Sequence, residues 1–186
     1  MRAVSYAAGS ADHRSTMNTN AILHDAYGRI TELVHIAADD LDAAGLAYRP
    51  EPDANSIAWL VWHLTRIQDH HLSQIADQDQ AWVADGWAAK LAMRPDPENT
   101  GHGHTSDEVA AIRPADAVNL IGYHDAVAMR THTYLDTVTP DELDRIVDRR
   151  WDPPVSVGVR LVSVISDNIQ HAGQARYLRG IIDRLG

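Results

Sequence analysis

Residues 55–76 read NSIAWLVWHLTRIQDHHLSQIA. Ile57, Leu60, Val61, Leu64, Ile67, Leu72 and Ile75 recur at helical intervals, which lays them along one stripe of an α-helix. Asn55 and Ser56 are both good N-caps, so the spacing predicts a helix from there to about Ala76. Upstream, Ile22, Leu23, Tyr27, Ile30, Leu33, Val34 and Ala37 repeat the pattern from Asn18 to Ala44, with Gly45 and Pro50 as stops. A connection of roughly ten residues predicts that these two helices are antiparallel neighbours. Downstream, Ala117, Leu120, Ile121, His124, Val127, Ala128, Thr131 and Leu135 predict a third long helix over about Pro114 to Thr137. Thr139, Pro140 and Glu142 form a capped start for one or two further turns.

The C-terminal stretch is harder to read. Val155, Val157, Val159 and Leu161 alternate like a strand, whereas Val164, Ile165, Ala172, Ala175, Leu178 and Ile182 continue at helical spacing. A long helix from Ser156 to Leu185 fits better, because no partner strand is visible elsewhere. Between Asp77 and Pro114 the pattern is irregular. Trp82, Val83, Trp87 and Leu91 suit a short helix, Arg94 to His104 reads as loop, and Thr105 with Glu108 fits a capping box. The expected fold is all-α: a four-helix bundle with a long irregular crossover segment. Residues 1–16 have no periodicity and read as a disordered leader, which leaves 17–186 as a single domain.

Composition removes several function classes. The 16 Lys+Arg stand against 26 Asp+Glu, a net charge of −10, which argues against nucleic acid as a partner. No apolar run is long enough to span a bilayer, and Met1 to Met17 lacks the apolar core of a signal peptide, so a cytoplasmic location without membrane is expected. With Cys 0, disulfides, thiolate-ligated metals and a cysteine nucleophile are excluded. The chain does hold 11 His, so any transition metal would be bound by imidazole and carboxylate. No phosphate-binding loop or serine-nucleophile elbow is present.

The most promising donors lie on the last helix. Asp167 and His171 are four residues apart and so share a face, one that also carries Val164, Ala175 and Leu178. A carboxylate and an imidazole in an apolar stripe are either a hydrogen-bonded pair buttressing the bundle or two ligands of one ion. A third ligand would come from a facing helix, where His63 sits beside Leu60 and Ile67; a satisfied core histidine is the alternative. His102 and His104 flank Gly103 and read as a turn or a ligand pair. His70, His71, His124 and His132 are further helical histidines.

The segment from Asn55 to Leu64 resembles the second helix of the DinB-like metalloprotein superfamily. Asp167 to His171 followed by Ala172-Gly173-Gln174 resembles its last helix. Gly101-His102-Gly103-His104-Thr105 and Trp151-Asp152-Pro153-Pro154 fit one branch of that group. The resemblance implies a bundle holding a divalent metal, zinc or nickel, through His63, Asp167 and His171. The mycothiol-dependent maleylpyruvate isomerase branch carries Glu where this chain has Asp167. It also implies low-molecular-weight thiols, mycothiol or bacillithiol, as partners, and a homodimer. The activity implied is metal-dependent thiol S-transfer to a small electrophile, through a thiol deprotonated by coordination. A metal-binding bundle without turnover and a metal-dependent hydrolase are the alternatives. Arg66, one turn from His63, and Arg176 are the candidate clamps for a substrate carboxylate, with plain surface charge as the alternative.

Overall fold

A computed structural model describes residues 17–185; the expected leader at 1–16 lies outside them. Four long helices form the bundle: α1 (Thr19–Ala38), α3 (Ile57–Ala76), α7 (Ala117–Leu135) and α9 (Val157–Leu185). Ser56 caps α3 through its side chain, which accepts from Trp59 N at 3.1 Å. Asp116 caps α7 in the same way, so that helix begins at Ala117, later than Pro114. Between them run the short helices α4 (Ala81–Ala84), α5 (Trp87–Lys90) and α6 (Ser106–Ala111), the last opened by the expected Thr105–Glu108 capping box.

Three expectations change. The first helix stops at Ala38, with Asp40 in a left-handed conformation (φ 63°). Asp42 then accepts from Gly45 N at 2.8 Å and starts a separate turn, α2 (Ala43–Ala47), so Gly45 lies inside a helix and does not end one. The reason is local: an aspartate satisfying free amides three residues ahead restarts the helix. Nor are α1 and α3 close neighbours. Each packs chiefly on α7 and α9, which puts α1 and α3 on opposite corners of the bundle. Finally, after α8 (Pro140–Asp144), β1 (Ile146–Asp148) pairs antiparallel with β2 (Val155–Ser156), so Val155 does have a partner strand, and α9 starts directly after it.

The core contains a polar relay. Asn168 Nδ2 donates to Gln68 Oε1 at 2.8 Å, and Gln68 Nε2 donates to Thr131 Oγ1 at 2.7 Å. All three are buried, so α9, α3 and α7 share a fixed rotation and register. With Asn168 turned inward, Asp167 and His171 are rotated toward the α3–α9 seam. No helix among the described residues is long and apolar enough to cross a membrane.

His124 is fully buried on α7, with Nδ1 3.1 Å from Thr65 Oγ1 and Nε2 3.2 Å from Thr31 Oγ1. Burial lowers its pKa to about 4, against a partial upward pull from Asp125. A base depressed in the folded state stabilises the fold fully above its unfolded pKa near 6.5, and that contribution fades as pH falls toward 4. Urea denaturation across this window should therefore show a loss of about 3 kcal/mol between pH 6.5 and 4 from this group. In His124→Gln that part of the slope should disappear; an unchanged slope would contradict the assignment.

Candidate metal centre

On α3 every residue from Ile57 to Arg66 is buried, because the crossover segment covers the side that the bundle leaves open. His63 therefore sits inside, at 6% side-chain exposure. Across the seam, α9 offers Asp167 and His171, at 36% and 19%. Ligand atoms of the three residues all lie within 4.8 Å of one another.

The hydrogen atoms of the two imidazoles point away from this meeting point. His63 Nδ1 donates to the Thr100 carbonyl at 2.5 Å, and His171 Nδ1 donates to Gln174 Oε1 at 3.0 Å. In the neutral form of each ring this leaves Nε2 bare and facing Asp167, the tautomer a metal ligand needs. Burial, helped by the nearby His171, holds His63 below the ordinary imidazole range, although the Thr100 carbonyl pulls upward. A neutral His63 is the form that can ligate.

Asp167 Oδ2 is 4.0 Å from His63 Nε2, and Oδ1 is 3.7 Å from His171 Nε2. Both gaps are too long for hydrogen bonds. Oδ2 is sealed from solvent with no hydrogen-bond partner, although the carboxylate as a whole is half exposed. An unpartnered buried carboxylate oxygen is costly without a cation or donor, so the donor set fits a divalent ion of borderline character. His63, Asp167 and His171 could hold one.

Around the three donors the packing is specific. The Trp59 ring stacks on His63 at 4.6 Å and 10°. Gly101, at φ 89°, brings the crossover chain so close that a Cβ there would lie 2.7 Å from Trp62 Cζ3 and 3.0 Å from His63 Nδ1. Thr100, Gly101 and Gln174 thus orient the imidazoles. Sequence reasoning gave them no role; the Gly-His-Gly-His run and the glutamine three residues after His171 were the available signals.

The other histidines serve elsewhere. His104 Nε2 donates to Asn99 Oδ1 at 2.9 Å and its Nδ1 accepts from Trp59 Nε1 at 3.2 Å, so it braces the loop, while His102 is exposed on the turn. His132 meets His24 at 2.6 Å between Nδ1 atoms, and Asp136 bonds His24 Nε2 at 3.0 Å.

A sequence model of the Mycothiol-S-transferase family matches residues 23–184. The chain belongs to that family. It is a DinB-like group, as the resemblance in the α3 and α9 motifs implied. A crystal structure described as a conserved protein from Enterococcus faecalis is similar at TM-score 0.81 and 31% identity, over 88% of this chain and 96% of that one. No curated protein matches.

Of the two expected clamps, Arg66 is turned to another task. It is fully buried, and its guanidinium donates to the main-chain carbonyls of Asn99 and Pro97 at 3.1 and 2.8 Å, to Gln80 Oε1 at 2.9 Å and to the Tyr123 hydroxyl at 3.2 Å. It also lies 3.6 Å from Asp69 and over the Trp82 ring. Its donors are spent on the crossover segment, which leaves none for a substrate. Arg176 is half-buried and has no hydrogen bond or ion pair among the described residues. Arg66→Met should cost about 3–5 kcal/mol in chemical denaturation, because Asp69 is left charged in the core. Arg176→Ala should stay within about 0.5 kcal/mol. A mild Arg66→Met would refute the structural role.

Proposed function

We propose that the chain is a metal-dependent mycothiol S-transferase, with zinc or nickel held by His63, Asp167 and His171, and a small electrophile as the group acceptor. The observation that carries this reading is the convergence of two bare Nε2 atoms and an unpartnered carboxylate oxygen. Three acceptors with no proton between them repel one another unless a cation lies among them. Three protein ligands also leave coordination positions open, as catalytic sites do. A divalent ion there would supply Lewis acidity, which would favour the thiolate form of a thiol whose pKa is about 8.5 in water.

The chain's own residues supply orientation and shelter. Thr100 and Gln174 hold the imidazoles, and Trp59 keeps water from one face of His63. Beside Gln174 opens an apolar cleft of about 610 Å³, lined also by Leu60, Tyr177 and Leu178, which suits the non-polar body of an electrophile. Arg176, nine residues after Asp167, falls on the opposite side of α9 from the donors and does not line this cleft, so it is not proposed as a clamp. Val159, Val162 and Ile169 are exposed along α9 and form the surface for the expected homodimer. A reduced thiol partner fits a cytoplasmic setting.

Metal titration followed by conjugation of mycothiol to 1-chloro-2,4-dinitrobenzene tests the reading. The parent should bind one divalent ion and accelerate thiol consumption. Asp167→Glu should keep or improve metal affinity, whereas Asp167→Ala should weaken it by about tenfold or more while the bundle stays folded. If the parent binds no metal and both variants lose stability, the aspartate is a buttress and the transferase reading falls. A metal-loaded parent that hydrolyses esters yet leaves thiols untouched would favour the hydrolase.

A further inference from the structure

An acidic chain gathers cations on one flank. Arg145, Arg149, Arg150 and Arg160 line a cleft of about 530 Å³ together with His70 and His71. It lies between the C-terminal half of α3, the β1 loop and the start of α9. Asp148 is the one carboxylate among its lining residues.

The ion pairs do not use up this charge. Glu142 answers Arg145 at 2.7 Å. Asp148 is shared between Arg150 at 2.8 Å and Arg160 at 3.3 Å, so one carboxylate faces two guanidinium groups. Arg149 is exposed and has no hydrogen bond or ion pair among the described residues. Arg160, at 18% exposure, is held in place by Asp148 and by the His71 ring at 3.2 Å. Burial, then the Arg160 charge, keep His71 neutral with a pKa of about 4, so it can accept from that guanidinium. Spare positive charge beside a pre-positioned arginine in a cleft is what oxyanion recognition requires.

The cleft is also in line with the three donors. His63 faces Asp167 across the seam, and His71 faces Arg160, so α3 and α9 run antiparallel here. His70 comes seven residues after His63, and Arg160 seven before Asp167. Each is two turns along the same face, about 10 Å away. Half-buried Ile67 lies between.

We propose that this cleft is a second ligand site, which holds the carboxylate or phosphate group of a small molecule lying along the α3–α9 groove toward His63 and Asp167. The orientation toward the donors rests on the transferase reading; the anion site itself does not.

Calorimetric titration of the full chain at constant ionic strength tests the site, with inorganic phosphate and glutarate as separate probes and neutral glutaramide as the control. At least one anion should bind saturably at one site, glutaramide should not, and the tighter of the two names the oxyanion class. Arg149→Ala, which removes an exposed side chain without partners, should weaken that binding by about tenfold. Arg160→Gln should weaken it further, and Lys90→Ala, distant on α5, should leave it unchanged. The absence of saturable anion binding, or an Arg149→Ala variant that binds as the parent does, overturns the site. The groove is tested by mycothiol conjugation to 6-maleimidohexanoate and its neutral amide. The parent should prefer the acid in kcat/KM by about tenfold, and Arg149→Ala should lose that preference. Equal rates in the parent would overturn the orientation. If anions titrate normally while neither maleimide is turned over, the transferase reading fails and the anion site stands.

Discussion

Arg66 and Asp69 sit three residues apart on α3, both buried, and the walls of the site hang on them. Asp69 accepts from the amides of Ala81 and Trp82 at 3.0 and 2.8 Å and from the Tyr123 hydroxyl at 2.8 Å. Arg66 fastens the far end of the same crossover by the carbonyls of Pro97 and Asn99. Thr100, the next residue, then delivers its carbonyl to His63. A buried ion pair is a poor source of net stability, but it is a strong determinant of which backbone can sit against it. Here it fixes a segment with little regular structure to the one helix that needs a lid.

That arrangement explains which parts were legible in the sequence. The long helices were, since each carries a sustained apolar stripe and the Ser56, Thr105 and Thr139 caps act as expected. The grouping of His63, Asp167 and His171 was legible in part. The four-residue spacing marks the pair on α9, but the choice of His63 over the other helical histidines leaned on the family motif. Arg66 was misread as a substrate clamp because it lies one turn from His63 and no carboxylate partner was sought for it in the core. The correcting signal was present: Ile57 to Leu64 is apolar all round but for His63, so this end of α3 has no solvent face. The diagonal placement of α1 and α3 was not legible, because connection length does not determine which corner a helix takes. Thr100 escaped for a simpler reason: a main-chain carbonyl has no residue type to betray it.

The α3–α9 seam is correspondingly uneven along its length. Near Leu60 and Leu178 it opens into an apolar cleft, at its centre it holds the three donors, and toward His71 and Arg160 it turns basic. The inward Asn168 sets this sequence of environments. By locking the rotation of α9 against Gln68, it turns Asp167 toward α3, and the seven-residue spacing carries Arg160 to the same side. A single buried amide contact thus orders polar groups separated by two helical turns.

The proton inventory at the centre is the strongest constraint on what the seam does. Both Nδ1 hydrogens are committed outward, and His63 is discouraged from taking a second proton by its burial. If Asp167 and His171 were a simple structural pair, one short hydrogen bond would join them; instead the nearest approach is 3.7 Å, and Oδ2 is left bare and buried. Packing alone gives no reason to hold three lone-pair donors at this spacing, where Asp167 Oδ2 loses hydration and gains no partner. A cation would supply the missing partner for all three at once. On the proposed reading, a chain with no cysteine would host thiol chemistry by binding the thiol rather than carrying one.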